Sequence, residues 1–214
     1  MKAADKVTTV RIILAPVFFV VYHFNKFFSG VPEPSGILRC WQIPALWVVF
    51  IVAELTDMLD GRIARKRGEV SDFGKFYDPF ADTIFQITLF FCFVWDRILP
   101  AIPFLLVLYR EFAILFVRNL MQKRGISMGA RIGGKIKTVI YISTGILALI
   151  VFDIRILASF FTGSVLFDSH GRLYASFSVL AVVVFWIAVF LSLLSFFDYV
   201  RVYRKSGREA APIP

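Results

Sequence analysis

The sequence contains few of the residues that build covalent cross-links or soft-metal centres. Two cysteines and two histidines occur among its 214 residues. Two cysteines are too few for a disulfide framework or a cysteine-rich zinc cluster. The histidines, His23 and His170, fall at or beyond the ends of apolar segments, so we do not expect them to form a catalytic pair.

The sequence also lacks internal repeats, low-complexity tracts and any polar stretch long enough to form a separate soluble domain. Alternating strand patterns are absent, which argues against a β-barrel. Disorder is excluded because 25 phenylalanines and long apolar runs cannot stay solvated. We therefore expect a single all-α domain spanning residues 1–214.

Long apolar runs are what the chain has in abundance. Hydrophobic residues make up 58% of the sequence, against about 45–50% in soluble domains. A transmembrane helix needs about 20 mostly apolar residues. The sequence predicts an integral membrane protein with six transmembrane helices, at residues 10–24, 45–59, 76–95, 98–117, 136–152 and 174–197.

The basic residues are unevenly distributed between these predicted spans. Eighteen of the 24 Lys and Arg residues fall in the segments 2–11, 62–75, 118–137 and 201–208. These segments lie on one side of the membrane, and the positive-inside rule makes that side the cytoplasm. We therefore expect both termini to be cytoplasmic and the protein to lie in the cytoplasmic (inner) membrane. Because the cations lie beside the spans, they indicate contact with the lipid bilayer rather than with nucleic acid.

Four aspartates stand where the predicted second span ends and the third begins. A carboxylate at membrane depth costs several kcal/mol, which favours a functional role. Asp57 and Asp60 share one helix face, as do Asp78 and Asp82. A turn near residues 68–71 would make an antiparallel hairpin that brings both pairs to the same depth.

Four converging carboxylates repel one another unless protons or cations neutralise them. All-oxygen ligands favour a hard cation such as Mg²⁺, Mn²⁺ or Ca²⁺. Two pairs of carboxylates suit a two-metal site that clamps phosphoryl oxygens. The alternative is that the aspartates only pair with Arg62, Arg65 and Lys66 at the membrane surface.

Small residues accompany the acidic face. Gly61, Ala64 and Gly74 lie on it or beside it, where they would let a ligand approach the backbone. Arg65 lies one turn beyond Gly61 and could hold a diphosphate.

Residues 57–82 spell the pattern D-x₂-D-G-x₂-A-R-x₈-G-x₃-D-x₃-D, which resembles the full signature of the CDP-alcohol phosphotransferase family. The resemblance implies a six-span membrane enzyme that moves a phosphatidyl or similar group from a CDP-linked donor to an alcohol and releases CMP. It implies that two divalent cations, Mg²⁺ or Mn²⁺, bind the four aspartates, and that Asp82 is the general base. It also implies that five further residues contact the CDP group: Thr8, Gly61, Ala64, Arg65 and Gly74.

Within that family the chain is most similar to members that use CDP-diacylglycerol as donor and glycerol 3-phosphate as acceptor. Thr8, Arg11 and Pro16 match their T-x₂-R-x₄-P pattern, and residues 134–138 match their G-K-x-K-T segment. The resemblance also implies a homodimer.

Four cations form a predicted pocket for the acceptor's phosphate: Arg110, Arg118, Lys135 and Lys137. For Arg110 the alternative is a buried ion pair with Glu111. For the two lysines it is simple snorkelling to the membrane surface.

Two alternatives to this function remain open. The same chemistry could serve another acceptor, such as inositol phosphate or serine. The chain could instead be an ion-coupled transporter, because intramembrane acids also mark ion pathways.

Overall fold

The structure is a computed structural model that describes residues 3–28, 40–67, 72–123, 132–158 and 171–209. These ranges form helices flanked by short turns and contain no strand, which confirms the all-α prediction. The six helices are α1 (Ala3–Phe28), α2 (Gln42–Arg67), α3 (Asp72–Trp95), α4 (Ala101–Lys123), α5 (Ile132–Ala158) and α6 (Arg172–Glu209).

Three of the helices contain a stretch long and apolar enough to cross a membrane. These stretches are Thr8–Phe27, Ile136–Ala158 and Arg172–Arg204. The other three helices carry charged residues within their length, such as Asp57 in α2 and Arg110 in α4, which lower their hydropathy. The protein is thus a membrane protein with at least three candidate spans.

The helices pack as two groups that meet along α3. In the first group α1 packs against both α2 and α3, and in the second α6 packs against both α5 and α4. Lighter contacts from α3 to α4 and α5 join the groups. Polar pairs from Thr8 to Asp78 and from Lys26 to Asp96 show that α1 and α3 run in the same direction.

Aromatic side chains fill the core between the groups. Tyr22 of α1 stacks on Phe152 of α5 with ring centroids 4.4 Å apart. Phe90 of α3 meets Phe185 of α6 at 5.0 Å. Each buried aromatic side chain removes about 150–250 Å² from solvent, so these contacts dominate the packing energy.

The outer faces of the helices are apolar as well. Val48, Ile102 and Phe190 are each more than half exposed. Soluble monomers rarely present large contiguous apolar patches to water. Apolar outer faces on several helices are what a lipid-embedded bundle requires.

Polar contacts join the helices at the end where α1 and α3 finish. Lys26 forms an ion pair with Asp96 just after α3. Arg155 donates to the Asp96 carbonyl oxygen at 3.0 Å and to the Tyr174 hydroxyl at 2.7 Å. These contacts fix the ends of four helices about 15 residues, or roughly 22 Å of helix, from the predicted site.

Candidate active site

Arg11 of α1 connects two of the predicted aspartates. Its side chain is only 2% exposed and lies against both α2 and α3. Nη2 is 3.3 Å from Asp57 Oδ1, and Nη1 forms an ion pair with Asp82 Oδ1. A single buried guanidinium therefore brings carboxylates of two helices to one place.

Thr8, almost one turn before Arg11 on α1, contacts a third aspartate. Its hydroxyl is fully buried and donates to Asp78 Oδ1 at 2.6 Å. The spacing from Thr8 to Arg11 is three residues and that from Asp78 to Asp82 is four, so parallel helices keep both contacts in register. Asp57, Asp78 and Asp82 thus gather around the N-terminal half of α1.

A pocket of about 40 Å³ lies beside this cluster. Its lining residues are Arg11, Ala53, Glu54, Asp57, Asp82, Phe85 and Gln86. The side chains of Asp57 and Asp82 are 44% and 49% exposed, so both carboxylates remain accessible to a ligand.

Several residues predicted for the site fall outside the described side chains. They are Asp60, Gly61, Ala64, Arg65 and Lys135, although the backbone of each belongs to α2 or α5. Because α2 is helical through Arg67, Asp60 follows Asp57 on the same side of the helix. Gly74 lies in the first turn of α3 and is partly buried.

The donor atoms around α1 are of the kind that a hard divalent cation prefers. Asp57, Asp78 and Asp82 offer only carboxylate oxygens, and Thr8 adds a hydroxyl. The site already accommodates positive charge, since the Arg11 guanidinium contacts two of the carboxylates. Within the part of the chain that the structure describes, no three acidic, histidine or cysteine side chains are grouped closely enough to hold a metal.

A second buried polar cluster contains two of the cations predicted to bind the acceptor. Arg110 Nη1 donates to Glu111 Oε1 at 2.9 Å, and Lys137 Nζ donates to the same oxygen at 2.7 Å. The Tyr141 hydroxyl lies 3.1 Å from that oxygen and 2.9 Å from Ser192 Oγ. Glu111 therefore joins α4 to α5, and the Tyr141–Ser192 contact continues the network to α6.

The third described cation of that predicted pocket, Arg118, lies against α6. Arg118 Nη2 donates to the Tyr199 hydroxyl at 3.1 Å, and its guanidinium lies 5.4 Å from the centre of the Tyr199 ring. The structure thus brings Arg110 and Lys137 together on Glu111 and gives Arg118 a separate aromatic partner.

Two lining residues were missed or set aside on sequence grounds. Gln86 shows no charge or motif that would single it out. For Glu54 the sequence favours a hydrogen bond within the bundle over a place in the acidic cluster. The signal that could have found them is their spacing, because Glu54 precedes Asp57 by three residues and Gln86 follows Asp82 by four.

The chain matches the family CDP-alcohol phosphatidyltransferase over residues 1–194. It belongs to that family. The match confirms the resemblance read from residues 57–82 and makes the protein a phosphatidyltransferase enzyme.

Named relatives cover nearly the whole chain. A CDP-diacylglycerol–glycerol-3-phosphate 3-phosphatidyltransferase of Treponema pallidum (strain Nichols) is 33% identical over 100% of this chain and 96% of its own length. A protein of the same name from Bacillus subtilis (strain 168) is 31% identical over 91% of each chain. A probable phosphatidylglycerophosphate synthase of Mycobacterium tuberculosis (strain H37Rv) is 27% identical over 95% of this chain and 83% of its own.

Proposed function

We propose that the protein transfers the phosphatidyl group of CDP-diacylglycerol to glycerol 3-phosphate, forming phosphatidylglycerophosphate and CMP. The names of the full-length relatives support this choice of donor and acceptor. The observation that carries the chemistry is the gathering of Asp57, Asp78 and Asp82 around Thr8 and Arg11.

The six helices act as six transmembrane spans of one domain covering residues 1–214. Both termini and the active site face the cytoplasm, and the protein lies in the cytoplasmic membrane as a homodimer. Support comes from the concentration of Lys and Arg in the sequence segments 62–75 and 118–137, which the positive-inside rule assigns to the cytoplasm.

Asp57, Asp60, Asp78 and Asp82 would hold two divalent cations, Mg²⁺ or Mn²⁺. When bound, such ions neutralise the charge of the donor's diphosphate and of the departing CMP. The carboxylates need such counter-charge, since Arg11 supplies one positive charge to Asp57 and Asp82 together.

Asp82 takes the proton of the acceptor hydroxyl. Its half-exposed carboxylate can reach a substrate, as a general base must. The hydroxyl oxygen then bonds to the phosphorus that carries the diacylglycerol, and the bond from that phosphorus to CMP breaks. Contacts to the CDP portion come from Thr8, Gly61, Ala64, Arg65 and Gly74.

The acceptor's phosphate binds to Arg110, Arg118, Lys135 and Lys137. Arg110 forms the buried ion pair with Glu111 that was the alternative for this residue. Support for the proposal is that Lys137 shares the same carboxylate, so two cations face one counter-charge. The cluster keeps a net positive charge that a phosphate group can neutralise.

The test is acceptor-dependent CMP release. The purified protein is given CDP-diacylglycerol with glycerol 3-phosphate, inositol 1-phosphate or serine in turn. We expect CMP only with glycerol 3-phosphate, and a second acceptor that works better would overturn the assignment. Ion-coupled substrate uptake by proteoliposomes without CMP formation would favour the transporter alternative.

A further inference from the structure

The pocket beside the aspartates continues one helical turn past them. Glu54 lies three residues before Asp57 on α2, and Gln86 lies four residues after Asp82 on α3. Because α2 runs opposite to α3, both residues fall on the same side of the aspartates, toward the interior of the bundle. The aspartates therefore face the entrance, and a carboxylate with a carboxamide lines the inner wall.

The Gln86 side chain carries an unused hydrogen-bond donor. Its Nε2 is fully buried and has no hydrogen-bond partner among the described residues. Buried amide groups are nearly always paired in native proteins, since an unpaired one is destabilising. Gln86 lines the pocket, so a rotation of its amide would turn this donor toward a ligand bound there.

The remaining lining restricts what that ligand can be. Three carboxylates, those of Glu54, Asp57 and Asp82, line the pocket beside the single guanidinium of Arg11. The excess of negative charge disfavours a phosphate or other anion. The pocket of about 40 Å³ has room for a small group such as a hydroxyl-bearing carbon, since about 10–15 Å³ of such space holds one water molecule. A neutral hydroxyl fits because it can accept from Gln86 and donate to Glu54.

We propose that Glu54 and Gln86 bind the second hydroxyl of the acceptor and so select a vicinal diol over a simple alcohol. The inference rests on the proposed function, in which the neighbouring primary hydroxyl of glycerol 3-phosphate loses its proton to Asp82. A polar site built around a substrate hydroxyl discriminates strongly against an analogue without it, because its own polar groups then stay unpaired.

The experiment compares glycerol 3-phosphate with 3-hydroxypropyl phosphate, which has the phosphate and the primary hydroxyl but lacks the second hydroxyl. We expect kcat/KM of the wild-type enzyme to favour glycerol 3-phosphate by about 100-fold or more. The Gln86→Met variant keeps the side-chain length without the amide. Its preference should fall at least tenfold, mainly through a higher KM for glycerol 3-phosphate, with an unchanged KM for CDP-diacylglycerol.

Thr88→Val is the matched control on the same helix. The Thr88 hydroxyl donates to the Ile84 carbonyl of its own helix and lies outside this pocket, so the wild-type preference should persist. Glu54→Gln is a second test that keeps the size of the side chain, and it should also reduce the preference. If Gln86→Met does not elute as a folded protein in size-exclusion chromatography, the acceptor preference of Glu54→Gln tests the proposal instead.

The outcomes separate the two proposals. Equal use of both acceptors by the wild type, or a full preference retained in Gln86→Met or in Glu54→Gln, overturns the diol subsite and leaves the proposed function intact. Failure of the wild type to release CMP with glycerol 3-phosphate overturns the proposed function itself.

Discussion

The exposed carboxylate of Asp82 and the buried guanidinium of Arg11 have different roles at the active site. Asp82 is half exposed and can exchange a proton with a substrate, whereas Arg11 is buried and can only hold its partners. We expect Asp82→Asn to lower kcat by about 10²–10⁴-fold, the usual contribution of a general base.

The control for that change is Asp153→Asn at the far end of the bundle. Asp153 accepts a hydrogen bond from Trp47 Nε1 at 2.8 Å, and asparagine can accept the same bond. Its turnover should match the wild type. A folded Asp82→Asn enzyme that binds CDP-diacylglycerol and turns over at the wild-type rate would exclude the base assignment.

Glu111 carries a buried charge on which we expect stability to depend. It is buried and pairs with both Arg110 and Lys137. Glu111→Gln leaves two cations without their shared counter-charge, so we expect a loss of about 3–5 kcal/mol in the free energy of unfolding. Thermal unfolding in detergent measures it, with the exposed Arg172→Gln as the control. Equal melting temperatures for the two variants would show that the ion pairs contribute nothing to stability.

The aspartates could be predicted from the sequence, but their contact with Arg11 could not. The spacing of Asp57, Asp78 and Asp82 on two neighbouring segments was enough to predict a common site. Arg11 was read only as part of a basic N-terminal segment and a family pattern. Its role depends on the docking of α1 between α2 and α3, which pairs it with Asp82 at a separation of 71 residues. Local patterns carry no information about such a contact.

At the scale of helices, Gly145 sets how closely α5 approaches its neighbours. A Cβ added there would lie 3.0 Å from Leu89 Cδ2 and 3.2 Å from Phe50 Cε2. Gly145→Val would overpack this contact, and we expect a loss of about 1–3 kcal/mol in unfolding free energy. Ser143→Val places the same side chain at a partly exposed position of the same helix and should melt near the wild type. A Gly145→Val protein as stable as that control would show that the helices can separate freely.

The helices themselves were predictable, but their ends were not. Each predicted apolar segment lies inside one observed helix, apart from the first residues of the fourth, which precede α4. Hydropathy marks where a helix is apolar, whereas the backbone stays helical into charged flanks. For this reason α6 runs on to Glu209, twelve residues past the predicted end of its apolar segment.

For the whole molecule, the proposed orientation places the start of α2 outside the cell. Cys40 lies just before that helix and is half-buried, whereas Cys92 is buried in the core. We expect a membrane-impermeant maleimide to label Cys40 in right-side-out vesicles but not in inside-out ones. Cys40→Ser should abolish the labelling. Labelling of Cys40 only in inside-out vesicles would reverse the proposed topology.

The most direct measurement follows both products of the proposed transfer. Radiolabelled glycerol 3-phosphate and CDP-diacylglycerol are incubated with the purified protein and Mg²⁺ or Mn²⁺, and CMP and lipid-soluble label are counted together. If the aspartates form the active site, CMP and labelled lipid should appear in equal amounts. Neither product should form when the metal is chelated or when Asp82 is replaced by Asn. CMP release without labelled lipid, or full transfer in the presence of chelator, would contradict this assignment.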